Sequence, residues 1–102
     1  MEVPERYCDY LCAEYFAAGW SERGYYDEHS QMWVILNSGE AYEERDIDFF
    51  AVGTSGCDGI DFGYRKGLAG IWAFYPIERE FTLKAATIAE LVARWCSGDL
   101  KV

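Results

Sequence analysis

IDFGYR, at residues 60–65, and IWAFY, at residues 71–75, are the stretches of sequence that decide the fold. In the first stretch, an apolar side chain occupies every second position, which is the period of a β-strand with one buried face. Residues 66–70 contain two glycines and join the two stretches. The sequence therefore predicts an antiparallel β-hairpin in the second half of the chain.

Three more short strands are predicted around this hairpin. Residues 32–36 (MWVIL) and 47–52 (IDFFAV) are rich in strand-forming residues, and the first is closed by Asn, Ser and Gly. Residues 80–84 (EFTLK) alternate again between polar and apolar side chains. Residues 20–30 and the polar stretch 40–46 are predicted to be loops.

A helix is expected at each end of the chain. At the N-terminal end, Pro4 suits a first helical position, and an apolar stripe follows at helical spacing up to Gly19: Cys8, Leu11, Cys12, Tyr15 and Phe16. At the C-terminal end, Thr87 and Glu90 form a capping box, and Gly98 is expected to end the helix.

The order of these elements indicates an α+β fold. Because no strand–helix–strand alternation is present, we expect one mostly antiparallel central sheet of about five strands, with the N-terminal and C-terminal helices packed on it. With 102 residues, half of them hydrophobic, the chain is expected to form a single domain over residues 1–102.

The net charge of the chain favours some classes of binding partner over others. The 9 basic against 18 acidic residues give a formal net charge of −9. This sign disfavours nucleic acid and anionic membranes, whose phosphates attract basic proteins, and it favours a basic protein partner. The alternative left open is that the acidic surface only keeps the protein soluble.

The four cysteines predict a reducing compartment. Cys8, Cys12, Cys57 and Cys96 form no CxxC pair and no zinc spacing with His29, so we expect buried, reduced thiols and no metal. Cys8 and Cys12 are expected on one helix face. Since residues 1–6 carry no secretory signal and the longest apolar run is too short for a bilayer, a cytoplasmic location is expected.

No catalytic group stands out in the sequence, so no enzyme activity and no cofactor are expected. His29 beside Ser30 is not a triad, because sequence neighbours do not face each other. The glycines at 53, 56 and 59 lack the order of a phosphate-binding loop. The pairs Asp46/Asp48 and Asp58/Asp61 lack the calcium-loop pattern and are expected to be solvated surface carboxylates.

Three segments together resemble the SUKH superfamily, the bacterial immunity-type domains related to the yeast Smi–Knr cell-wall regulator. Residues 3–11 (VPERYCDYL) are similar to its early signature, and residues 49–59 (FFAVGTSGCDG) to its central strand and glycine-bearing turn. Residues 70–75 (GIWAFY) with 87–92 (TIAELV) resemble its late strands and closing helix. The chain differs at residues 17–20 (AAGW), where the family often has an Asn-Gly-Gly-like turn.

The resemblance implies an α+β fold and a protein-binding role, with many bacterial members neutralising a toxin, often a basic nuclease. We therefore expect an immunity protein, monomeric or weakly dimeric, that binds one basic toxin domain. The residues expected to bind combine carboxylates with one aromatic anchor. They are Glu40, Tyr42, Glu43, Glu44 and Asp46, with Asp58 and Asp61.

Three alternatives stay open beside this hypothesis. Residues 40–48 could be no more than a solvated loop. The chain could instead bind a small molecule in a pocket formed by aromatic residues such as Trp33, Trp72 and Tyr75. It could also be a homodimeric structural or adaptor protein that pairs through a sheet edge or an exposed aromatic patch.

Overall fold

The computed structural model of the chain describes residues 3–100. A 3-10 helix, Glu5–Tyr10, precedes two short helices, α1 (Ala13–Ala17) and α2 (Trp20–Arg23), and the chain reaches α3 (Ile88–Ser97) after the sheet. The strands are β1 (Tyr25–Asp27), β2 (Met32–Ile35), β3 (Tyr42–Glu44), β4 (Phe49–Thr54), β5 (Asp61–Arg65), β6 (Leu68–Tyr75) and β7 (Glu80–Ala85). A second 3-10 helix, Arg45–Ile47, separates β3 from β4.

The seven strands form one antiparallel sheet, which confirms the α+β prediction. The order across the sheet is β1-β2-β4-β5-β6-β7, and β3 pairs with β4. The sheet has more strands than the five predicted, because β1 and β3 lie in segments that were predicted to be loops. Both are three residues long, and they are held by main-chain pairing to β2 and β4, which needs no apolar run.

The hairpin that decides the fold forms as predicted, but its turn is tighter. Arg65 pairs with Leu68, so only Lys66 and Gly67 make the turn, and β6 begins three residues before the position expected. Gly67 has a φ of 77°, which a glycine adopts without strain. A Cβ atom at Gly63 would lie 2.2 Å from the carbonyl oxygen of Phe50, so only glycine lets β4 and β5 approach here.

The prediction of a single N-terminal helix is wrong. Leu11 has a left-handed φ of 54°, and this residue separates the 3-10 helix from α1. In the 3-10 helix, residues three apart share a face, so Tyr7 and Tyr10 are buried, whereas Cys8 and Leu11 of the predicted stripe are exposed. The stripe is correct only from Cys12 onward, where Tyr15 and Phe16 are buried.

The core lies between the helices and one face of the sheet, with Phe50 of β4 at its centre. The Phe50 ring is 1% exposed and stacks on Tyr7 with 4.0 Å between ring centroids. It also contacts four more rings, at centroid distances of 5.8 to 6.4 Å: Tyr10, Tyr15, Phe16 and Tyr64. Aromatic pairs in these geometries stabilise a core beyond the area that they bury.

The predicted C-terminal helix is confirmed, and its N-terminus has two caps. Glu90 N–H donates to the Thr87 hydroxyl at 3.0 Å, while the Glu90 side chain accepts from Ala86 N–H rather than from Thr87. Glu14 of α1 supplies the second cap: its carboxylate accepts from Ile88 N–H at 2.5 Å and from Ala89 N–H at 3.1 Å. A carboxylate at this position also interacts favourably with the helix dipole, so Glu14 links the two ends of the chain.

Replacing Phe50 by alanine is expected to lower the free energy of unfolding by about 3–5 kcal/mol, because the ring leaves a cavity that its five neighbours cannot fill. Urea denaturation followed by circular dichroism measures the loss. Phe81→Ala is the control, since Phe81 is only partly buried, on the other face of the sheet. Equal losses in the two variants would contradict the central place of Phe50.

Glu14→Gln is expected to lower the free energy of unfolding by about 1 kcal/mol, because the neutral amide binds the α3 N-terminus less strongly than the carboxylate does. Thermal and urea unfolding both measure this change. Glu22→Gln removes an equal charge from an exposed side chain of α2 and should change stability by less than about 0.5 kcal/mol. A loss no larger than that of the control would show that Glu14 does not cap α3.

Candidate functional site

The second face of the sheet carries its own aromatic cluster. Side chains alternate along β4, so Phe49 points away from the core that Phe50 occupies. The Phe49 ring passes over Gly63 and contacts Phe74 at 6.0 Å and Phe81 at 5.5 Å between centroids. The buried residues of the 3-10 helix, α1 and α3 all belong to the core on the opposite face. We call this second surface the open face.

The open face presents apolar surface beside a cation. The Arg65 guanidinium lies 4.0 Å from the ring centroid of Phe81 and 4.8 Å from that of Trp72. Leu83 pairs with Trp72 across β6 and β7 and is 54% exposed, while Trp72 and Phe81 are partly exposed. Aromatic residues and arginine are the side chains most enriched at protein interfaces.

Two of the predicted binding residues meet at the edge of the open face. The Tyr42 hydroxyl, on β3, donates a hydrogen bond to Asp61 Oδ2, on β5, across the intervening strand β4. The Tyr42 side chain is 41% exposed, and Glu44 follows on the same face of β3, half-buried. Burial and then the bond to Asp61 raise the pKa of the Tyr42 hydroxyl well above its usual value.

Glu43 points the other way, toward the core. Its side chain is only 15% exposed and accepts a 2.6 Å hydrogen bond from the Tyr10 hydroxyl. The Arg45 guanidinium lies 3.7 Å from the second carboxylate oxygen. Burial and then the bond to Glu43 raise the pKa of Tyr10. Because Glu43 is committed to these contacts, its first role is to hold β3 to the N-terminal segment.

The remaining predicted binding residues are spread over the surface. Asp46 forms an exposed ion pair with Arg79 at 4.0 Å. Asp58 lies in the turn before β5, where it lines a hollow of about 200 Å³ with Ile60, Pro76 and neighbouring residues. Glu40 lies in the loop before β3 and lines a second hollow of about 260 Å³. The structure therefore divides the seven predicted residues among several places, and only the Tyr42–Asp61 pair is in direct contact.

Neither hollow has the size of a typical small-molecule site, which encloses roughly 300–1,000 Å³. The three aromatics considered for a pocket also lie apart. Tyr75 lines the hollow at Asp58, Trp33 lines the hollow at Glu40, and Trp72 lies on the open face.

The cysteines differ from the prediction of buried thiols. Cys12 is buried, and burial raises the pKa of its thiol to about 11, but Cys8, Cys57 and Cys96 are exposed. Cys8 and Cys12 do not share a helix face, because the left-handed Leu11 lies between them. All four cysteines are free. Among residues 3–100, no group of three or more His, Cys, Asp or Glu side chains is placed to hold a metal ion.

His29 lies in an exposed turn that is held by hydrogen bonds to the Asp27 side chain. Asp27 accepts hydrogen bonds from the His29 backbone N–H at 3.1 Å and from the Ser30 hydroxyl at 2.8 Å. The Trp95 indole N–H of α3 also donates to Asp27, at 2.7 Å, and this bond is the largest cause that lowers the pKa of Asp27. Ser30 therefore contacts an acid but not the imidazole, and Asp27 serves to fasten β1 to α3.

Sequence reasoning missed the open face. The run IWAFY is apolar at every position, so one strand supplies both the core and a second apolar surface. Trp72 and Phe74 lie on the open face, and Ile71 and Ala73 are buried in the core. The absence of any polar position in this run is the signal that could have indicated a second apolar face.

No family model, curated protein or solved structure matches this chain. None of the helices within residues 3–100 combines the length and apolar character needed to cross a membrane.

Tyr42→Phe is expected to make stability less sensitive to alkaline pH. The raised folded-state pKa of Tyr42 contributes stability that is present below the unfolded-state pKa of about 10 and is lost as pH rises through the folded-state pKa. Urea midpoints between pH 8 and pH 11 should fall less steeply in the variant than in the wild type. Asp61→Asn, which removes the charged acceptor, should give an intermediate slope. Identical slopes in Tyr42→Phe and the wild type would contradict the raised pKa of Tyr42, and an Asp61→Asn slope equal to that of the wild type would contradict the Tyr42–Asp61 bond.

Proposed function

We propose that this chain is a protein-binding module that binds one basic protein partner through its open face, as an immunity-type protein does with its toxin. The observation that carries this proposal is the second apolar face of the sheet, which contains Trp72, Phe81 and Leu83 and is not covered by the helices. Contiguous apolar surface on a soluble domain marks an interaction site more often than a scattered apolar residue does.

The composition of the open face suits a protein partner. Trp72 and Phe81 are rigid rings that lose little entropy on binding, and the Arg65 guanidinium lies against both rings. Leu83 is the most exposed apolar side chain of β7, so a partner that covers it gains the full benefit of its burial. These groups would form the centre of the interface.

The charges around the open face favour a basic partner. Glu44 and Asp61 lie beside Tyr42 on this face, and the whole chain carries a formal charge of −9. Such a field raises the rate of encounter with a basic protein and disfavours acidic competitors. Exposed carboxylates at the rim contribute mainly to association, while the apolar centre governs how long the complex lasts.

The resemblance of the sequence to immunity-type SUKH domains supports the choice of partner. In that group the role implied is to neutralise a toxin, and an acidic protein can cover the substrate cleft of a basic nuclease. We therefore propose a toxin domain with a basic surface as the partner, and inhibition by occlusion as the mechanism.

Leu83→Ser is expected to weaken partner binding about tenfold, since it removes one central apolar contact. Leu11→Ser is a matched control, because Leu11 is also 54% exposed but belongs to the segment that packs on the other face. The partner is captured from the host with the wild-type chain, and its affinity is then measured with each purified variant. Glu44→Lys should slow association at low salt.

The proposal expects the captured protein to be basic and its toxicity to be suppressed when this chain is co-expressed. Failure of the wild-type chain to retain any basic protein would overturn the proposal. Equal affinities of Leu83→Ser and Leu11→Ser would show that the open face is not the interface. Light scattering of the isolated chain tests the homodimer: a concentration-dependent dimer that Leu83→Ser abolishes would assign the open face to self-association instead.

A further inference from the structure

The hollow beside Glu40 joins an exposed aromatic ring to an unpaired carboxylate. Its lining residues are Trp33, Leu36, Asn37 and Glu40, and its volume is about 260 Å³. Trp33 is 46% exposed, which is unusual for a tryptophan on a strand that also carries the fully buried Val34 and Ile35. Within residues 3–100, Glu40 forms no ion pair.

The Trp33 ring is held in place by two residues that do not line the hollow. The Tyr26 ring packs edge-on against it at 5.3 Å between centroids, in the pair that joins β1 to β2. Gly24 lets the ring approach its backbone, since a Cβ atom there would lie 3.3 Å from Trp33 Cε3. A fixed indole with a solvent-facing surface is the best aromatic platform for a cation.

The loop that carries Glu40 is also fixed in place. Leu36 N–H donates to the Val52 carbonyl at 2.7 Å, and the Leu36 carbonyl accepts from the Tyr15 hydroxyl at 2.6 Å. The Asn37 carbonyl accepts from Glu40 N–H at 3.0 Å, and the Asn37 side-chain oxygen accepts from Gly39 N–H at 2.9 Å. A site that is ordered before binding avoids the entropy cost of ordering a loop.

We propose that this hollow binds the guanidinium group of an arginine side chain presented by the basic protein partner. The planar cation would stack on the Trp33 indole while its N–H groups donate to the Glu40 carboxylate. The hollow is smaller than a drug-sized site and suits a single side chain. An arginine is a better fit than a lysine, because a guanidinium can stack and donate at the same time.

This inference rests on the proposed function for the identity of the protein that carries the arginine, but the hollow can be tested without that protein. The probe is N-acetyl-arginine amide, and its matched control is N-acetyl-citrulline amide, which has nearly the same shape and no charge. The readout is the ¹H–¹⁵N spectrum of the labelled chain, in which the Trp33 indole and Asn37 amide signals are assigned with the help of Trp33→Leu.

The arginine probe is expected to shift the Trp33 and Asn37 signals in a saturable manner at millimolar concentration, and the citrulline probe is expected to leave them unchanged. Glu40→Gln should raise the dissociation constant roughly threefold, because it removes one exposed charge partner. Glu80→Gln, which removes an equal charge at the far edge of the sheet on β7, should have no effect. Equal responses to the two probes, or an unchanged constant in Glu40→Gln, would overturn the proposal.

The partner assay separates this inference from the proposed function. If the captured partner binds the wild type, Glu40→Gln and Trp33→Leu equally well, the proposed function stands and the arginine site is refuted. If no basic partner is found but the probe titration behaves as expected, the site stands and the proposed partner fails. Circular dichroism checks that Trp33→Leu is folded, and Glu40→Gln gives an independent test if it is not.

Discussion

The stacking of Tyr7 on Phe50, at 4.0 Å between centroids, is the contact on which the rest of the structure depends. It joins the N-terminal segment to the central strand β4, and the rings of Tyr10, Tyr15 and Phe16 close around it. Because these helices and α3 together fill one face of the sheet, they do not cover the other face, where Leu83 is 54% exposed. Gly63 lets the Phe49 ring pack over β5 on the open face, since a Cβ atom at Gly63 would lie 2.9 Å from Phe49 Cζ. The open face is thus a direct consequence of how the core is built.

The sequence predicts the regular parts of this fold well, and the reasons are local. The alternation in residues 60–65 and the capping residues around Thr87 are each signals contained within a few positions, so β5 and α3 are found where they were expected, and β6 differs only in its earlier start. Two strands were missed because β1 and β3 are only three residues long and are held by main-chain pairing to β2 and β4, so neither carries the alternating apolar pattern of a longer strand. The break at Leu11 was missed for a different reason: a left-handed leucine has no residue-type signal, and the stripe on either side of it suggests a continuous helix.

The candidate site was also only partly predictable from the sequence. Residues 40–46 were predicted as one acidic binding segment, but Tyr42–Glu44 forms a strand, and successive side chains of a strand point to opposite faces. Glu43 is therefore drawn to Tyr10 in the interior, while Tyr42 and Glu44 face the open side. The meeting of Tyr42 with Asp61 depends on the register of three strands, which no local pattern contains. The acidic composition was readable from the sequence, whereas its distribution over separate surfaces required the tertiary structure.

The central claim is that the helices cover one face of the sheet and leave Leu83 and Trp72 on the other face accessible to solvent. Paramagnetic relaxation of side-chain NMR signals by a neutral, soluble gadolinium chelate tests it most directly, because the effect reports the distance of each group from solvent. We expect strong relaxation of the Leu83 methyl groups and the Trp72 indole, and weak relaxation of the Leu91 methyl groups and the Phe50 ring. Protection of Leu83 and Trp72 to the same degree as Leu91 in the isolated chain would contradict the account, because the second face would then already be covered.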